Sequence, residues 1–149
     1  MKRLLIVLLI GFHTLPSVSQ PSVPYPESST WNDPNKTIKV QIYKGPDDRT
    51  FGKIVWMKDP TDENGRPKID INNPVEKLRN QRLVGLVVMK NFKRSKQNPN
   101  LFEDGTFYDP KTGNSYCGKF EMVGKELKVT GHICGWSFLV KRTTWTKAD

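Results

Sequence analysis

From Thr37 to Lys44 the chain alternates: Ile38, Val40 and Ile42 fall on one face, and Lys39, Gln41 and Tyr43 on the other. A period of two marks a strand with one buried face. The signal recurs along the chain. Gly45-Pro46-Asp47-Asp48 is a turn, and Thr50 to Met57 is rich in aromatic and β-branched residues. Leu83 to Phe92 is a near-continuous apolar run, covered on both faces or bent at Gly85. Leu101 to Tyr108 ends in the turn Asp109-Pro110-Lys111-Thr112-Gly113. Ser115–Val123 and Glu126–Ile133 meet at Gly124-Lys125 as a hairpin, with Tyr116, Gly118, Phe120 and Met122 sharing a face with Leu127, Val129 and Ile133. A last strand spans Trp136 to Thr146.

One turn-rich break, Lys58 to Asn73, interrupts the series. After it, Asn73-Pro74-Val75-Glu76 reads as an N-cap with Pro at the first helical position, opening a helix of one or two turns. Seven or eight strands in succession with one short helix predict an all-β antiparallel fold. A meander this long must hide its edges, and closure into an up-and-down barrel of about eight strands does so. Such a barrel either fills with side chains or holds one small ligand.

The first nineteen residues stand apart. Lys2 and Arg3 precede the apolar run Leu4–Phe12, Pro16 breaks it, and Ser17-Val18-Ser19 offers small residues for cleavage. This is the pattern of a secretory signal peptide, residues 1–19. The run is half the roughly 20 apolar residues that a membrane span needs. The reading is therefore an exported protein, periplasmic or secreted, with no integral membrane segment after cleavage. Removing nineteen of 149 residues leaves 130 and takes the formal charge from +9 to +7, since Lys2 and Arg3 leave and no acid does. A domain of that size can bury roughly two-thirds of its unfolded surface. Residues 20–28, with three prolines, read as an extended linker, and 29–149 as one barrel domain.

Chemistry-bearing residues are sparse. Cleavage leaves His132 as the one histidine. In the predicted hairpin it lies opposite Cys117, with Cys134 one diagonal step away. Cys117 and Cys134 either form a disulfide, if a bulge at Gly131 or Gly135 shifts the register, or stand as two thiols near a strand end. A Cys117–His132 pair is flanked by Lys and Glu, the pattern of a solvated face. No metal-ligand spacing and no phosphate-binding glycine loop is present, so no metal and no cofactor is expected. Asp47, Asp48, Asp59, Asp62, Glu63, Asp70 and Asp109 sit where turn chemistry needs carboxylates. Lys90, Lys93, Arg94 and Lys96 cluster around Phe92, which reads as a solvated loop rather than a nucleic-acid grip. No convergent nucleophile or acid–base set is visible, so the chain is read as non-enzymatic.

The segments G-K-I-V-W (52–56), D-E-N-G-R-P-K-I-D-I-N-N-P (62–74), L-R-N-Q-R-L-V-G-L (78–86), Y-D-P-K-T-G-N-S-Y (108–116), L-K-V-T-G (127–131) and R-T-T-W-T-K (142–147) resemble an exported bacterial family known as domain of unknown function 2147. The resemblance covers about residues 31–147 and implies a lipocalin-like barrel, with no activity or ligand attached. A cysteine pair that many relatives carry around the second hairpin is missing from 43–51, so no redox or metal role follows from it. In lipocalin-like barrels an arginine from the last strand often covers a tryptophan on the first. Trp31 and Arg142 occupy similar places, and such a contact contributes about 0.5–2 kcal/mol.

Two roles follow. A ligand-binding barrel would take a small apolar molecule or lipid, with Tyr43, Trp56, Tyr108, Phe120 and Trp136 as candidate lining. A structural or protein-interaction module of the cell envelope would instead have a packed interior and an exposed apolar or basic patch.

Overall fold

The computed structural model describes residues 29–148; the signal-peptide and linker readings lie outside them. Eight strands form a closed antiparallel barrel in chain order: β1 Thr30–Asn32, β2 Ile38–Lys44, β3 Thr50–Met57, β4 Val87–Arg94, β5 Leu101–Asp109, β6 Asn114–Val123, β7 Glu126–Ile133 and β8 Trp136–Lys147. The turns 45–49, 95–100 and 124–125 gather with the first and last described residues at one end, the floor. The turns 33–37, 110–113 and 134–135 and the long loop 58–86 gather at the other, the mouth.

The predicted strands are found, with two local departures. The apolar run from Leu83 enters its strand late, at Val87, because Gly85 at φ +99° turns the chain first. The expected helix is a single 3-10 turn, Glu76–Leu78, and Asn73 does not cap it as foreseen. Its side chain accepts the Val75 N–H and donates to Asp70, so the chain bends there instead of winding. β1, three residues long, is too short to show a period.

Alternation places Trp31, Val40, Ile42, Ile54, Met89, Phe92, Phe102, Phe120 and Leu127 inward, each at most 2% exposed. Their rings interlock: Phe102 stacks on Phe120 at 4.7 Å, and Phe92 meets Phe120 edge-on at 5.0 Å and Phe107 at 4.8 Å. Asn91 and Asp104 adopt left-handed backbone inside β4 and β5. These residue types tolerate that conformation, and each kink resets which side chains face inward. The outward rows carry Lys39, Lys53, Lys90, Lys93, Lys119, Lys128 and Arg142, the reverse of a lipid-embedded barrel.

The long loop is latched to the outer wall by polar bonds. Asp70 is fully buried and accepts from the Tyr108 hydroxyl at 2.8 Å and from the Asn73 amide at 2.7 Å. Asn72 donates to the carbonyls of Pro110 and Lys111 in the β5–β6 turn. Gly113 permits this approach, since a Cβ there would overlap the Asn72 carbonyl. Asp70 is thus an interior acceptor, not the turn carboxylate expected. Asp62 and Asp109 do cap their own turns. The Arg66 N–H and guanidinium hold the Asp62 carboxyl below its usual range.

Asp70→Ala leaves two donors without their acceptor and costs about 1–3 kcal/mol per stranded group, measured by urea unfolding. Burial, then the bond to and charge of Asp70, push the Tyr108 phenol up to about 12. The unfolded chain loses this proton first, near pH 10, so the folded state holds more protons between pH 10 and about 12. The stabilisation is fully present below pH 10 and fades as pH climbs through that window. Tyrosinate absorbance should show a phenol ionising near pH 12 that Tyr108→Phe removes.

Candidate binding site at the barrel mouth

The inner wall carries a lane almost without side chains. Gly105 on β5 faces Gly118 on β6, which faces Gly131 on β7. Low on this lane the space is taken: a Cβ on Gly105 would overlap the Phe92 ring, and one on Gly118 would overlap the Thr130 carbonyl of β7 and crowd Phe107. Higher up it is not. A Cβ on Gly131 would meet only Tyr116 and Phe107, at 3.7 and 3.9 Å. Here the wall opens into a depression of about 420 Å³ lined by Tyr116, Gly131, His132, Ile133, Phe138, Leu139, Val140 and Lys141.

The lane ends on a charge. Gly131 faces Lys141 on β8, which puts Lys141 on the same inward row as Thr143 and Trp145. Among the described residues no carboxylate pairs with it. The site is therefore an apolar hollow with one cation at its rim, suited to an amphiphile with a negative group.

The five lining candidates are not brought together. Phe120 lies in the solid core at 0% exposure. Tyr43 is on the outer face, stacked on Phe51 at 5.9 Å with the Lys53 ammonium above it, and burial raises its phenol. Trp56 is also outside, beneath Lys39 and 42% exposed, because a bulge after Lys39 shifts the register. Tyr108 faces the long loop. Trp136 alone stands near the hollow, at the tip of the β7–β8 hairpin, 56% exposed. Lys141 and Tyr116 were not among the lining candidates, although Tyr116 shares the Phe120 face in the sequence and counting by twos back from Trp145 puts Lys141 on the inward row.

The expected Trp31–Arg142 contact is absent. Trp31 sits opposite Lys147, while Arg142 lies opposite Thr130 with its side chain exposed. Arg142 lies five residue steps along β8 from Lys147, about 17 Å. The indole N–H instead donates to Ser29 at 3.0 Å. The basic cluster is likewise divided: Phe92 points into the core, Lys93 pairs with Asp104, and Arg94 donates to the Pro99 carbonyl.

Cys117 and Cys134 form a disulfide, with Cα atoms 4.9 Å apart. The shift in register after His132 supplies the bulge that the pairing needs. Cys117 faces His132 as foreseen, but with its sulfur bonded it offers no thiolate to an imidazole. The bridge ties the tip of the β7–β8 hairpin to β6 beside the hollow. Reducing it frees a 17-residue loop and should lower stability by about 3 kcal/mol, read as the shift in urea midpoint with and without reductant.

Comparison with known proteins agrees with this architecture. A solved Helicobacter pylori protein, HP1028, described as belonging to the lipocalin family, superposes with a TM-score of 0.66 at 20% identity, covering 83% of this chain and 82% of that one. Among curated proteins none matches. The model of the family described as an uncharacterized protein conserved in bacteria, DUF2147, matches residues 29–147. The chain is a lipocalin-like barrel and belongs to the DUF2147 family.

Proposed function

We propose that this protein is an exported, non-catalytic binder of a small amphiphile, held in the mouth hollow with its anionic group at Lys141. The observation that carries the reading is the inward-facing Lys141 at the rim of an apolar hollow. Lys141 is exposed at this rim, so its ammonium can meet an anionic headgroup while the apolar residues beside it cover the tail. Export is supported by the signal-like first nineteen residues and by the disulfide, which persists in oxidising compartments. The similarity to a lipocalin-family protein is compatible with small-ligand binding. The filled lower barrel limits the ligand to the mouth: a chain of a few carbons fits there, not a deep core ligand.

The interaction-module reading keeps one specific support, the exposed apolar residues of β8, and is taken up below. The test of ligand binding is displacement of a fluorescent fatty acid from the purified protein. Gly131→Leu fills the hollow from within and should weaken binding at least about tenfold. Lys141→Gln should weaken anionic amphiphiles by roughly tenfold or more, the worth of a bond to a charged group, and leave a neutral alcohol of equal length unaffected. Equal loss for both ligands, or no binding by the parent protein, overturns the reading.

A further inference from the structure

The exposed large apolar residues are unevenly placed. Val55, Trp56, Ile71, Val75, Val84, Ile133, Trp136, Phe138, Leu139 and Val140 are all exposed, and all lie in or next to the elements of the mouth half. Val123, the last residue of β6, is the exception at the floor. The densest group is the β7–β8 hairpin, where Phe138 is 72% exposed, Trp136 56% and Leu139 51%. The Trp136 and Phe138 rings sit 5.5 Å apart as one projecting pair. The hairpin is held stiff by the Cys117–Cys134 bridge.

Two further facts bear on what meets this surface. β8 pairs with β1 only at Thr146 and Lys147, so among the described residues the rest of that edge has no strand beside it. Between Trp136 and Lys147 the strand carries Lys141, Arg142 and Lys147 and no acid. The full chain is itself basic, at +9.

We infer that the mouth docks on an anionic lipid bilayer, with Trp136 and Phe138 entering the interface and Arg142 meeting lipid phosphate. Aromatic rings with a polar edge settle at the level of the headgroups, where one side is apolar and the other wet. Basic residues at the surface add attraction to anionic lipid. The observations favour a bilayer over a partner strand. An added strand would cover the β8 edge, whereas the apolar residues extend over Ile71 and Val75 of the long loop and onto the hairpin tip. A second copy of this chain would set the basic residues of one β8 against those of the other.

Phe138 borders the hollow as well, so the test rests on Trp136 and Arg142, which do not line it. The experiment is co-sedimentation of the protein, its N-terminus read by mass spectrometry, with vesicles of phosphatidylcholine with and without phosphatidylglycerol. Binding is expected with phosphatidylglycerol, weakening as salt rises. Trp136→Ser combined with Arg142→Gln should weaken it at least about tenfold. Gly131→Leu and Val123→Ser should leave it unchanged while the first abolishes fatty-acid displacement. Circular dichroism checks that the variants fold. If the double variant does not fold, quenching of the parent protein's tryptophan emission by bromine-labelled lipid decides instead. The inference is overturned by no binding to anionic vesicles, by equal binding of the double variant, or by lipid-free dimers in sedimentation that the double variant dissolves.

Discussion

A row of glycines across three neighbouring strands sets the character of the interior. Gly105, Gly118 and Gly131 remove side chains from one lane of the inner wall. That absence admits the Phe92 ring and the close approach of the β7 backbone below, and leaves room for a small side chain above. A barrel of eight strands has room for little more than its own side chains. Where glycines withdraw them, the neighbouring aromatics decide whether the space fills. At the floor they reach it; at the mouth they do not, and Lys141 ends the lane instead.

The same asymmetry runs through the rest of the molecule. At the floor the turns are short and the core is filled by buried side chains. At the mouth a long loop is pinned by Asp70, a disulfide stiffens the tallest hairpin, and apolar side chains face solvent. Buried polar bonds and a covalent bridge hold loops that little apolar contact would hold, which allows exposed aromatics on a hairpin without collapse. Exposed apolar surface costs solubility and is seldom extensive on an isolated protein; its concentration at one end is why a binding surface is sought there.

Much of the inner wall was legible from residue order. The face shared by Gly118, Phe120, Met122, Leu127 and Val129 follows from counting by twos around Gly124-Lys125, and the register confirms it. The same count would have placed Tyr43 outside, opposite Val40 and Ile42; choosing lining residues by aromatic type instead of parity misassigned it. Trp56 was beyond parity, because the bulge after Lys39 lies in the pairing of two strands and not in either sequence. Trp31 and Arg142 were matched by analogy, but the shear of this barrel sets Lys147 beside Trp31.

Residue order alone specifies the antiparallel all-β class, most strand limits and the inward row of the β6–β7 hairpin. These depend on local alternation and turn chemistry, which neighbouring residues specify. Folding of the whole chain is what brings Cys117 to Cys134, buries Asp70 as an acceptor for Tyr108, and sets Lys141 at the rim of a hollow. Each depends on register between strands distant in the chain, and register is fixed by the closure of the whole barrel, with its bulges, rather than by any one segment.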